Sequence, residues 1–250
     1  MHAKQINYSS AYSFADATVS AVKDPSQIAP GDIIADFFGF RTPDFFVKID
    51  RPQRYTVLHA FIHEINSFPI QHYLGRIDGD MIIDEYQRVL DGANIPHPAW
   101  FNAFEVEDHE EELRKILENA TKIIAEAAFQ LLFSDRTFLF KFGKFLQPFV
   151  SQLEVGEHPC VIAPGIVNRS YFPVWLKNAV FHRDKGRCQL CGCDLTNILV
   201  PTMERHIDHM VPLKASGTND PTNFQLTCGK CNTSKGANVH ATDHLSYPYW

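Results

Sequence analysis

The sequence predicts an α+β chain, with a mainly α-helical N-terminal part followed by a small metal-stapled C-terminal domain. Three observations predict it. Several segments in the first 150 residues place apolar residues at three- and four-residue steps, the period of a helix with one buried face. Five of the six cysteines fall between 188 and 231, as CQLC (188–191), Cys193 and CGKC (228–231). Between the two pairs, HIDHMV (206–211) has the length and apolar character of a short strand.

The clearest helix spans Asp108 to Phe133. Leu113, Ile116, Leu117, Ala120, Ile124, Ala127 and Leu131 share a face, Asp108 can cap its start, and acids at 110–112 suit the positive end of the helix dipole. A second helix is expected over Thr56 to Ser67, with Val57, Leu58, Phe61, Ile62 and Ile65 inward and Pro69 as its stop. A third covers Met81 to Leu90 and ends at Asp91-Gly92. The Phe-rich FLFKFGKFLQPF (138–149) reads as another core helix whose lysines snorkel to solvent. Residues 151–173 carry three prolines and two glycines with no period, the composition of a domain junction, and contain Cys160, expected to be a free thiol. Pro173 then opens a helix whose apolar side is Trp175, Leu176, Ala179 and Val180. ILV (198–200) reads as strand-like. The expected organisation is a helical domain over 1–155, a linker over 156–172 and a C-terminal domain over 173–250.

Composition excludes several classes. Apolar residues make up 45% and charged residues 21%, a globular balance rather than a disordered one. No apolar run is long enough to span a bilayer, so no membrane partner is expected. MHAKQINYSSAYSFADA lacks a basic start followed by an apolar core, which makes a cytoplasmic location the expectation. The net charge of −6 argues against a chain coated in nucleic-acid-binding surface, but residues 177–240 hold eight Lys/Arg against five Asp/Glu, a mild local basic bias.

In a reducing compartment, two Cys-x-x-Cys pairs read as metal ligands rather than disulfides. Zinc takes four soft or borderline donors in a tetrahedron, and each Cys-x-x-Cys turn supplies two from one knuckle. Cys188, Cys191, Cys228 and Cys231 are therefore the expected Zn²⁺ ligands, with Cys193 a bystander. The 36 residues between the pairs exceed a minimal zinc finger, so a functional hairpin is expected between the knuckles.

With these residues in place, the run from Arg183 to Gly236 resembles the HNH endonuclease family of the zinc-stapled ββα-metal type. The matching words are RDKGRCQLCG and HIDHMVPLKASGTNDPTNFQLTCGKCNTSKG. The resemblance covers about the last third of the chain and leaves the N-terminal part unaccounted for. It implies a metal-dependent endonuclease that hydrolyses phosphodiester bonds in DNA, with double-stranded DNA expected as the substrate rather than RNA. It implies His209 as the general base and Asp208 as a ligand of a catalytic Mg²⁺ or Mn²⁺. Adjacent residues on a strand point to opposite faces, so one can bind metal while the other activates water. It further implies that Asn223 orients His209, and that Asn232, where the family often has His, supplies an amide oxygen to the cation. Lys235, Arg187 and Lys185 are candidate phosphate contacts, although a solvated surface is the simpler reading for the last two. His206 lies outside the pattern; it shares a strand face with Asp208 and could help bind metal or phosphate, but a structural or exposed role is the simpler reading. Family habit points to bacterial restriction or anti-phage defence. The N-terminal part would then serve regulation, self-association or a protein partner. A zinc-ribbon-like nucleic-acid-binding module without catalysis remains the alternative, although a binder needs none of Asp208, His209, Asn223 or Asn232.

Overall fold

The computed structural model describes residues 8–24, 43–73, 80–102, 109–198 and 203–238. The chain is mainly helical with a small C-terminal region of sheet and helix, the α+β class expected. It separates into two compact units: Met1–Phe40 with Leu58–Leu132, and Arg41–Val57 with Phe133–Trp250. The segment 156–172 lies inside the second unit.

The first unit contains α1 (Tyr8–Lys23), most of α3 (Val57–Tyr73), α4 (Asp80–Gly92) and most of α5 (Glu110–Ser134). Helix α5 is the longest, and its first-turn acids Glu110, Glu111 and Glu112 sit where the dipole favours them. Its buried seam is Leu113, Leu117, Ala120, Thr121, Ile124, Ala125, Ala128, Phe129 and Leu132. Ile116, Ala127 and Leu131 flank this seam half-buried. The buried stripe thus takes in Thr121, Ala125, Ala128, Phe129 and Leu132 in place of those three. Asp108, the expected cap, lies outside the described residues. Gly92 meets α1 so closely that a Cβ there would stand 2.3 Å from Ser10 Oγ. In α3 the expected faces hold, with Val57, Leu58, Phe61, Ile62 and Ile65 buried. Its end does not: the helix continues through Pro69 to Tyr73. A proline costs the bond to residue i−4 and crowds that carbonyl, but it does not forbid further turns when packing holds them, and Ile70 beyond it is buried.

The second unit holds the site. It comprises α2 (Pro43–Asp50), α6 (Arg136–Ser151), the antiparallel pair β1 (Val161–Ala163) and β2 (Ile166–Val167), α7 (Val174–Arg183), β3 (Arg205–His209), β4 (Phe224–Cys228) and α8 (Gly229–Lys235). Helix α6 is the expected Phe-rich helix. Asp135 caps it by accepting from Phe138 N, and Phe138, Leu139, Phe142, Leu146 and Val150 are buried. Strands β3 and β4 pair antiparallel, with Asp208 opposite Gln225 and His209 opposite Phe224. Helix α7 covers one face of this hairpin, where Leu176 and Val180 join Cys188, Leu195, Phe224, Leu226 and Cys228 in one core. Helix α8 follows β4 directly. Ile198 is exposed and not in a strand, and the rest of ILV lies outside the described residues.

Candidate active site and metal centre

Asp208 and His209 end β3 with their side chains on opposite faces, as strand geometry requires. Asp208 faces α8. Its Oδ2 accepts from Gln225 Nε2 at 2.8 Å and lies 3.0 Å from Lys235 Nζ. His209 faces the other way, its ring 4.7 Å from that of Phe224 and 5.8 Å from that of Phe172. Burial pushes its pKa down to about 4; the hydrogen bond it donates to Asn219 and the charge of Asp208 oppose that shift without cancelling it. The imidazole is therefore neutral at pH 7, as a proton acceptor must be.

Lys235 does not face outward. Its side chain is 1% exposed, and Nζ donates to His209 O at 2.8 Å as well as pairing with Asp208. It ties α8 to the strand that carries the Asp-His pair, a position from which it cannot greet a phosphate without leaving its pocket. Lys185 is half-buried with a left-handed backbone, φ 56°. Arg187 is exposed and reaches Gly192 O at 3.3 Å, within the first cysteine turn.

Asn223 sits deeper than a ring-orienting role requires. Its Oδ1 accepts from Val211 N, and its Nδ2 donates to Val211 O and Thr218 O. It closes the 210–223 connection on itself. Gly217 makes that closure possible, since a Cβ there would fall 1.9 Å from Val211 O. The side chain on the ring is Asn219, which the sequence reading did not single out. Asn219 Oδ1 lies 3.1 Å from His209 Nε2. Its Nδ2 donates to Asp50 O at 2.8 Å and Asn168 O at 2.7 Å. Two carbonyls on the nitrogen fix the oxygen toward the ring, so His209 carries its proton on Nε2 and keeps Nδ1 as the basic nitrogen. The next residue, Asp220, is fully buried and accepts from Val57 N at 2.7 Å and from Thr222 N at 2.9 Å. Burial raises its carboxyl pKa. The Asp-Pro-Thr that starts this short turn is an N-cap pattern legible in the sequence.

Asn232, on α8, places Nδ2 3.3 Å from His206 Nδ1, and His206 Nε2 is 3.3 Å from Glu204 Oε2. With its nitrogen on His206, the Asn232 amide turns its oxygen elsewhere. Asp208 and Asn232 are hard oxygen donors on the α8 side of the hairpin, the donor chemistry that suits Mg²⁺ or Mn²⁺. Both described contacts of Asp208 fall on Oδ2.

The cysteines converge. The sulfurs of Cys188, Cys191, Cys193 and Cys228 lie within 4.8 Å of one another. Cys231, expected as the fourth ligand, is not one of these four; Cys193 stands in its place in the group. The first turn is closed by Gly192 N donating to Cys188 O and Cys188 N to Cys193 O, with Gly192 at φ 77°. In the second, Cys228 caps α8 by accepting from Cys231 N at 3.4 Å. Without metal, burial raises the Cys188, Cys193 and Cys231 thiols. Burial also works against Cys191, but the backbone at Cys193 and the surrounding thiols outweigh it and bring Cys191 down to about 7. A cluster of sulfurs at this spacing can hold zinc. Cys160 lies apart, buried, with its pKa raised to about 11 by burial and by the Asp50 charge.

Residues 188–238 match the family model HNH endonuclease. The C-terminal segment carries an HNH endonuclease domain. The match begins at Cys188, the first cysteine of the first Cys-x-x-Cys turn, and ends just beyond α8, so it encloses both cysteine pairs, the Asp208-His209 pair and Asn232. No curated protein and no solved structure matches the chain. No described helix is long and apolar enough to cross a membrane.

Proposed function

We propose that the protein is a metal-dependent endonuclease that hydrolyses phosphodiester bonds in double-stranded DNA. The single observation that carries this is the neutral, buried His209, held by Asn219 with Nδ1 left as the acceptor, next to Asp208 inside a matched HNH domain. In this reading His209 Nδ1 takes a proton from water as its oxygen attacks phosphorus. The P–O bond to the leaving oxygen breaks, and that oxygen is protonated from solvent. Asp208 and Asn232 are the residues that would hold Mg²⁺ or Mn²⁺, and a bound cation supplies charge to the developing phosphorane and leaving oxygen. Asn223 acts one step away, by locking the connection that carries Asn219. Zinc held by Cys188, Cys191, Cys228 and Cys231 staples the hairpin to α8. Restriction or anti-phage defence is the setting we infer, with the first unit regulating the nuclease, self-associating or binding a protein partner in the cytoplasm.

The test is cleavage of supercoiled plasmid by the full chain in Mg²⁺ or Mn²⁺, beside a His209→Ala variant with matched zinc content. Metal-dependent nicking or linearisation by the wild type alone is expected. A zinc-loaded wild type that binds DNA but leaves it intact in either metal would favour the binding module instead.

A further inference from the structure

We propose that α7 and the residues leading into it, with Arg205 of β3 and Arg54, form the surface on which the sugar-phosphate backbone of duplex DNA lies as it approaches His209. The choice of duplex DNA rests on the endonuclease reading; the surface rests on the following observations.

The chain is acidic overall, yet no Asp or Glu occurs between Glu157 and Asp184. That stretch contains Arg169, Lys177 and His182, all exposed. An open pocket of 440 Å³ lies between α7 and β3. Lys177, His182 and Arg205 line its polar side, Phe181, Ile207 and Leu226 its apolar side, and no carboxylate lines it. Beside the pocket, cations rest on aromatic faces. Lys177 lies 5.7 Å from the Tyr171 ring, Arg54 5.0 Å from Trp175, Arg169 5.6 Å from Phe172 and Arg205 4.8 Å from Phe181. A cation seated on a ring is ordered in advance, which lowers the entropy lost on binding an anion; Arg205 is further held by donating from one terminal nitrogen to Thr196 O at 2.8 Å. Tyr171 is 74% exposed.

Cations elsewhere are differently disposed. Lys235 and Arg183 are buried in ion pairs, and Arg114, Lys115 and Lys122 pair with glutamates one helical turn away. Lys48 also stands on a ring, that of Tyr55, but it is paired with Asp44; on the α7 side the ring-held cations adjoin a pocket that no carboxylate lines. The surface is also continuous with the candidate base, because Phe172 carries Arg169 on its ring and has its centroid 5.8 Å from that of His209. Ring-held cations that track toward the base suit a polyanion passing over it. Contacts of this kind position a duplex without reading its sequence.

The experiment uses the full chain with zinc content verified, and a fluorescent 20-base-pair duplex in the absence of added divalent cation. Binding is measured as a function of salt. Each phosphate contact contributes roughly 0.9 to the slope of log K against log salt. Lys177→Ala/Arg205→Ala should lower that slope by about 2 and weaken binding at least tenfold at moderate salt. Arg169→Gln/Lys177→Gln, which leaves the sheet untouched, should lower it by a similar amount. Lys115→Ala/Lys122→Ala removes the same charge from α5 and should leave the slope unchanged. A wild-type slope in both surface variants overturns the proposal, as does a wild type that shows no salt-dependent binding to the duplex. If the wild type binds through this surface but cuts in no metal, the nuclease reading fails and the surface stands. If it cuts while the slopes do not move, the surface fails and the nuclease stands.

Discussion

Asn219 Oδ1 stands 3.1 Å from His209 Nε2, and the amide that carries it cannot turn over, because its nitrogen is held by the carbonyls of Asp50 and Asn168. One side chain thereby selects which imidazole nitrogen is basic. Asn219→Ala should release both tautomers of His209, visible as a shift in the ring ¹⁵N signals away from a single Nε2–H form. The cleavage rate should fall by roughly 10- to 100-fold, the usual cost of losing a group that orients a functional side chain, with less effect on KM. Two partly buried hydrogen bonds, to the carbonyls of Asp50 and Asn168, are also lost, at about 0.5–1.5 kcal/mol each in stability. An unchanged tautomer with an unchanged rate would remove Asn219 from the site.

The depressed pKa of His209 has a consequence for folding. Its ordinary value is 6.5, and burial brings it to about 4 in the folded protein. Between these values the unfolded chain binds more protons, so stability rises with pH across the window and falls as the solution is acidified from 6.5 toward 4. The gap corresponds to about 3 kcal/mol when fully expressed. Below 4 both states are protonated and no further loss arises from this group. Asp220 has the opposite sign, since burial raises its carboxyl, but it is common to wild type and variant. The difference between wild type and His209→Gln, measured by urea unfolding at pH 7.5 and pH 5 without added divalent cation, isolates the histidine. The wild type should lose more stability than the variant on acidification, and parallel losses would contradict the assigned shift.

The parts of the site set by local spacing were legible in the sequence: two Cys-x-x-Cys turns, an Asp-His pair at a strand end, and an Asn immediately after the last cysteine. The parts set by packing were not. Asn219 takes its orientation from carbonyls at 50 and 168, and Arg136 reaches Gln225 from the start of α6. No periodicity announces such pairings. Lys235 looked like a surface cation because a lysine near a helix end usually is one, yet α8 is short and turns it under the hairpin. Pro69 looked like a stop because propensity ends helices at proline, but the apolar residues on both sides of it, Ile65 and Ile70, are buried.

Metal content separates the fifth cysteine from the other four. Cys193 lies within the sulfur cluster, but it stands outside both Cys-x-x-Cys turns. A turn fixes its two sulfurs together, so Cys188, Cys191, Cys228 and Cys231 are the set whose geometry costs least to impose. Cys193→Ser should retain one zinc per chain by atomic absorption. Cys231→Ser should lose it or bind it far more weakly, and its hairpin should unfold at lower temperature. The reverse pattern would place Cys193 in the coordination shell in place of Cys231.

Lys235 is the last test of how the Asp-His strand is held. Its ammonium balances Asp208 and satisfies the carbonyl of His209 from a buried position, while the Asp208 side chain is 11% exposed. Breaking a buried pair from one side leaves a charge without its partner and costs about 3–5 kcal/mol, less where water reaches the survivor. Lys235→Met should therefore destabilise the protein toward the lower end of that range, read as a fall in the urea midpoint. Asp208→Asn in the same background removes the stranded carboxylate and should recover part of the loss, because an amide can still bond Gln225 and imposes no uncompensated charge. A double variant no more stable than Lys235→Met alone would mean that the carbonyl of His209, rather than the carboxylate of Asp208, is what the lysine chiefly supports.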